Sequence, residues 1–197
     1  MNRWTAPLAA ALLLATAHAG HAQAADTTSR PNSLAAGARS FSFGIPQSGS
    51  GSFGYWKMTS DRTALGVQAD VQLSHSNRTT PGFPDGTGTT SGAALGVNLR
   101  RYARTDMRVA PFAQVGVNAG YRRNTAQIDS VSLAHIHSVV GGVQAGVGVE
   151  WFPVREVSVA GMTGLSLFAQ RSSDHAMHVT DVGFSTFTSS LALHIYF

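Results

Sequence analysis

The stretch RVAPFAQVGVNAGYR, residues 108–122, sorts by parity. Val109, Pro111, Ala113, Val115, Val117, Ala119 and Tyr121 fall on one face, and Arg108, Phe112, Gln114, Gly116, Asn118 and Arg122 on the other. Successive side chains of a strand point to opposite faces, so strand phasing separates the two sets and helical phasing would mix them. The same alternation recurs. TALGVQADVQLS sets Leu65, Val67, Ala69, Val71 and Leu73 against Gly66, Gln68, Asp70 and Gln72. SVVGGVQAGVGVEW sets Val143, Ala145, Val147, Val149 and Trp151 against Gln144, Gly146, Gly148 and Glu150. EVSVAGMTGLSLFAQ sets Val157, Val159, Leu165 and Leu167 against Ser158, Gly164, Ser166 and Gln170. With shorter or weaker runs included, the pattern predicts eight strands, at 39–46, 52–58, 63–76, 91–104, 107–123, 136–152, 155–171 and 182–197.

Two features of the alternation select the fold. The apolar face is almost free of charge, while the opposite face mixes glycine with Gln, Asn, Asp, Glu and Arg. A soluble eight-stranded barrel keeps apolar residues inside and shows polar ones to water. An apolar band of this size facing water would aggregate, whereas a bilayer requires it. The connections also alternate. Short turns (TSDR, RTDM, PVRE) follow strands two, four and six, and longer links (SNRTTPGFPDGTGTT, NTAQIDSVSLAH, RSSDHAMHVTD) follow strands three, five and seven. Short turns at one end and long loops at the other are the pattern of outer-membrane barrels. The expected fold is all-β: an eight-stranded antiparallel up-and-down transmembrane β-barrel over 39–197.

Composition agrees with that class. Charged residues are 12% of the chain and cysteine is absent, which removes thiolate catalysis, disulfides and zinc–thiolate sites. The net charge of +4 is carried by scattered arginines, with Lys57 the single lysine, so no nucleic-acid partner is expected. Arg3, the apolar run Leu8–Ala15 and the Ala22-Gln23-Ala24 site read as a cleaved signal peptide over 1–24, which implies export through the Sec pathway. Residues 25–38 read as a flexible mature N-terminus.

The last strand ends LALHIYF, with Leu191, Leu193, Ile195 and Phe197 on one face. With the signal peptide and the eight amphipathic strands, this resembles the small Gram-negative outer-membrane barrels, the OmpA transmembrane domain and OmpX class. The resemblance covers about residues 39–197. It implies that Leu193, Ile195 and Phe197 form the signal read by the barrel-assembly machinery; unlike OmpA itself, this chain is expected to carry no periplasmic domain after the barrel.

The candidate functional residues fall into a few groups. Asp70, Arg100, Gln114, Gln144 and Glu150 are the expected polar cluster of the lumen, with Lys57, Arg108 and Arg122 as further inward bases. Trp56 and Trp151 are the expected interface aromatics, since amphipathic indoles favour the membrane boundary. The pairs His135/His137 and His175/His178 have metal-ligand chemistry on adjoining loops, but loop histidines are ordinarily solvated, and no metal or cofactor is assigned. Adjacent His–Ser pairs occur at His75-Ser76 and His137-Ser138, but such a pair needs a third group to orient the imidazole, and neither reproduces the lipid A deacylase pattern of a residue between His and Ser followed by Asn, so no catalytic residues are assigned and the chain is not read as an enzyme. The glycines around 142–148 do not form a nucleotide loop, because no helix follows them. The expected role is structural or surface interaction through the extracellular loops, for envelope integrity, adhesion or binding. Outer-membrane lipid, lipopolysaccharide and an unidentified surface ligand are the expected partners. A lipid A-modifying enzyme or a narrow pore is the alternative.

Overall fold

The computed structural model describes residues 31–45, 50–78, 86–128, 131–173 and 178–197. Eight antiparallel strands close into a barrel in chain order: β1 (Arg39–Gly44), β2 (Ser50–Ser60), β3 (Thr63–Arg78), β4 (Gly86–Tyr102), β5 (Val109–Ile128), β6 (Val131–Val154), β7 (Val157–Ser173) and β8 (His178–Tyr196). Closure is made by β1 on β8, with Ser40 opposite Tyr196 and Phe43 opposite Leu193. Every strand therefore has two neighbours, and the unpaired edges that a membrane cannot tolerate are absent from the closed part of the sheet.

The polarity is inside-out. Leu65, Val97, Val117, Val147 and Leu167 are exposed on the outer face, while Asn98, Arg100, Gln114 and Glu150 are buried inside. Alternation alone produces this in β3 to β7. β8 needs a further device: between Gly164 and Leu165 the β7–β8 register slips by one residue on the β8 side. That bulge lets Val182 and Phe184, at even positions, share the outer face with Leu191, at an odd one.

Three expectations are corrected. The strands run well past their predicted ends on the loop side, and β5 and β6 reach 20 and 24 residues. Alternation disappears from the sequence in these extensions because both faces carry polar residues, yet the backbone ladder continues regardless of side-chain polarity. At roughly 3.3 Å per residue, β6 is more than twice as long as the ~10-residue strand needed to cross a bilayer.

Residues 31–38, predicted to be loose, are packed across the turn end. Leu34 and Asn32 are buried. Asn32 Nδ2 donates to the Met107 carbonyl at 2.6 Å, Ser33 Oγ to the Arg155 carbonyl at 2.8 Å, and the Gly37 amide to the Met58 carbonyl at 2.9 Å. The segment thereby ties together the β4–β5 and β6–β7 turns and the end of β2.

Trp56, predicted to lie at the membrane boundary, points inward and is only 5% exposed. Lys57, its neighbour on β2, is consequently outside rather than in the lumen, and Arg108 is exposed just before β5. Room for the indole comes from Gly66, directly opposite Trp56 on β3, where a Cβ would collide with the ring.

Candidate functional site

The turn-end half of the lumen is filled around one carboxylate. Glu150 on β6 is 0% exposed. Its Oε2 accepts from Arg100 Nη1 at 2.9 Å and from the Tyr102 hydroxyl at 2.6 Å. Its Oε1 accepts from Ser158 Oγ at 2.5 Å and from the Tyr196 hydroxyl at 2.6 Å. Strands β4, β6, β7 and β8 thus meet on a single side chain. A buried charge is tolerated only when it is paired and its lone pairs are filled, and both conditions hold here.

The cation is held as tightly. The Arg100 guanidinium lies 4.4 Å from the Trp56 ring centre and 4.1 Å from that of Phe112, so it is stacked between two aromatic faces. Its Nε donates to Gln114 Oε1 at 3.1 Å. Gln114 and Gln144 in turn donate to Asn98 Oδ1, at 3.3 and 2.9 Å. Trp56 Nε1 donates to Ser42 Oγ at 3.0 Å, which extends the network to β1. His194 packs beside it, 6.0 Å from Trp56 and 6.1 Å from Tyr196 between ring centres. Beneath the hub, Leu34, Met58, Ala64, Ala110 and Phe152 form an apolar floor.

The loop-end half is different. There the lumen holds a cavity of about 510 Å³, whose polar lining includes Ser52, Gln68, Asp70, Asn118 and Arg122. Gln68 Nε2 donates to Asp70 Oδ1 at 2.8 Å. Among the described residues the lumen is filled at the turn end and hollow toward the loop end.

Of the expected lumen cluster, Arg100, Gln114, Gln144 and Glu150 are joined in one network, and Asp70 lies apart in the upper cavity. Tyr102, Ser158 and Trp56 complete the network as partners that the alternation does not assign. The parity of β4 and β7 places Tyr102 and Ser158 inward, so their inward direction was readable, but their convergence on one carboxylate depends on register. Trp151 is outward and 52% exposed near the turn end. Leu193 and Ile195 sit opposite Phe43 and Phe41 across the closing seam, and the Phe197 ring lies 5.2 Å from that of Phe41.

The histidines do not form a metal centre among the described residues. His135 and His137 are on β6 and His178 is on β8, with β7 between them, while His175 lies outside the described residues. The adjacent His–Ser pairs are split between faces. Ser138 is buried and accepts from Gln170 Nε2 at 3.2 Å, whereas the His137 ring meets the Tyr121 hydroxyl on the outer face. Ser76 Oγ donates to the Gly88 carbonyl at 3.4 Å, and His75 faces Thr89, with Nδ1 3.1 Å from its hydroxyl.

In the Arg104–Asp106 pair, in the β4–β5 turn, a hydrogen bond from the guanidinium holds the Asp106 carboxyl below its ordinary range; the contact is 2.9 Å and exposed.

The site and the sheet together define a closed β-barrel with an apolar exterior and an ionic interior. No family model and no curated protein matches the chain. Among solved structures, a major outer membrane protein from Thermus thermophilus aligns over 81% of this chain and 99% of its own, at 13% identity and a TM-score of 0.49. That likeness is too distant to carry a conclusion about this chain.

Proposed function

We propose that the protein is an integral bacterial outer-membrane barrel, exported through the Sec pathway, with a structural or surface-interaction role and no solute pore or catalytic activity of its own. The observation that carries the reading is the inside-out polarity. Apolar residues such as Leu73, Leu95, Val147 and Val149 are exposed around the outside, while a four-donor carboxylate is buried within. In water this arrangement exposes the wrong face; in a bilayer both faces are satisfied. The filled turn-end half argues against conduction, because eight strands leave space only for side chains and these are interlocked. The separation of each adjacent His–Ser pair onto opposite faces supports a non-enzymatic role. The extensions of β5 and β6 beyond the apolar band offer a surface for a partner outside the cell.

Heat-modifiability tests the reading. On one SDS gel of the outer-membrane fraction, unboiled protein should run as a compact band that shifts on boiling. A soluble periplasmic protein without a shift would overturn it. Lipid A from cells with and without the protein should have the same mass spectrum, and planar bilayers holding the folded barrel should give a flat current trace.

A further inference from the structure

On the outer face, three strands change character at the same height. Along β5 the outward residues run Val115, Val117, Ala119, Tyr121 and then Arg123. Along β7 they run Leu165, Leu167, Ala169 and then Arg171. Along β6, Val143 and Val139 give way to His137. Register places these side by side: Arg123 is opposite His137, which is opposite Ser173, and one row lower Tyr121 is opposite Val139, which is opposite Arg171. Both arginines and Tyr121 are exposed, and the Tyr121 hydroxyl is hydrogen-bonded to His137 Nδ1. His178 continues the upper row opposite Ser173. Among the described residues, no carboxylate occupies an outward position of β3 to β7. Among the described residues the patch is cationic, with no carboxylate in its own outward rows to neutralise it.

Two outward rows below Arg171, the outer face carries a shallow apolar groove of about 530 Å³, lined by Val97, Val117, Val143, Leu165 and Leu167 among others. The two arginines lie two strands apart and one row out of step, about 12 Å between their backbones, within reach of two long side chains for one anion or two linked ones. Guanidinium matches phosphate in its fork geometry, and tyrosine is at home at headgroup depth.

We infer that Arg123 and Arg171, with His137 between them, bind the phosphate groups of a phosphorylated glycolipid of the outer leaflet, whose acyl chains lie along the groove below. The inference rests on the outer-membrane reading and adds the lipid class and the residues. Charge complementarity at this depth favours a lipid over a soluble ligand, because the cationic rows sit where apolar surface ends and headgroups begin.

The test uses the mature chain refolded in detergent and native mass spectrometry with diphosphorylated lipid A, the same lipid stripped of phosphate, and inorganic phosphate as competitor. The wild type should bind the diphosphorylated form at least about tenfold more tightly than the stripped form. Arg123→Gln/Arg171→Gln should lose that preference, a fall of roughly tenfold or more. Lys57→Gln/Arg101→Gln, outward changes at the opposite end, should leave it intact. Wild-type binding that ignores phosphate overturns the inference without any variant, as does equal affinity in the Arg123/Arg171 variant. Displacement by millimolar inorganic phosphate would reassign the patch to a soluble anion. The boiled and unboiled gel keeps the two levels separate: a folded barrel that fails these lipid tests overturns the site alone, whereas absence of the heat shift in the native membrane fraction overturns the barrel reading beneath it.

Discussion

Removing the charge of Glu150 should be strongly destabilising, and the size of the effect follows from the hub. In Glu150→Gln the Arg100 guanidinium keeps its aromatic walls and Gln114 but loses its only described anion. Three hydroxyls, from Tyr102, Ser158 and Tyr196, lose a charged acceptor in the same step. Breaking a buried ion pair by changing one partner costs about 3–5 kcal/mol. With a urea slope of about 1–3 kcal/mol/M, the unfolding midpoint should fall by at least about 1 M. Arg100→Leu should cost a similar amount by leaving the carboxylate without its cation. In Arg100→Leu/Glu150→Gln no charge is stranded, and the remaining loss is the weakened hydrogen bonds of the three hydroxyls at about 1 kcal/mol each. The double variant should therefore be several kcal/mol less destabilised than the two single effects added together. Urea unfolding in phospholipid vesicles, followed by tryptophan fluorescence, measures all three, and Trp56 beside Arg100 reports on the hub directly. Effects that add to within ~0.5 kcal/mol would refute the coupling, because independent sites add and a shared ion pair does not.

Gly66→Ala should destabilise the barrel by about 1–3 kcal/mol by driving a methyl group into the Trp56 ring, and a blue-shifted tryptophan emission unchanged from wild type would show that the indole had not been disturbed. Leu34→Ala should cost about 2–5 kcal/mol in the same urea assay, since the side chain is fully buried in the floor, and should leave planar bilayers silent because the Glu150 hub still closes the lumen. The Arg104–Asp106 pair should have little influence on stability. Because its folded carboxyl is held below the ordinary range, whatever it adds is present above the unfolded pKa of aspartate and disappears as pH falls through the lowered folded value, so Asp106→Asn and wild type should converge in acid-unfolding curves at the acidic end.

The parts of this fold that were legible in the sequence are those where water or lipid meets one face only. In β3 to β7 a polar lumen opposes an apolar exterior, so Val115, Val117 and Ala119 on one side and Gln114, Gly116 and Asn118 on the other give strand, face and phase together. Beyond the apolar band both faces meet water, the selection for alternation lapses, and the ladder from Thr87–Gln127 to Thr89–Thr125 leaves no periodic trace. Trp56 was misplaced for a related reason. Tyr55 and Trp56 are adjacent aromatics, so parity within FGYWKM is ambiguous, and only the glycine across the ladder shows which ring goes inside. A glycine in an otherwise regular strand was the available signal. Leu34 left no such signal, since its place depends on carbonyls of Met107 and Arg155 that are remote in the chain.

The bulge in β8 reconciles two phases that the strand's own residues impose. Val182 and Phe184 fix the phase at the start of that strand, and Leu191, Leu193 and Ile195 fix the opposite phase at its end. A single unbroken register would bury one set or expose His194 and Tyr196 to lipid. The one-residue slip beside Leu165 satisfies both ends, and it delivers the Tyr196 hydroxyl to Glu150 while Ile195 stays outside opposite Phe41. The irregularity in the last strand is therefore coupled to the ionic hub. The parity switch that keeps the apolar terminus on the outside is the same one that lets β8 supply the fourth donor to the carboxylate, so the seam and the closed lumen are set by one local feature of the chain.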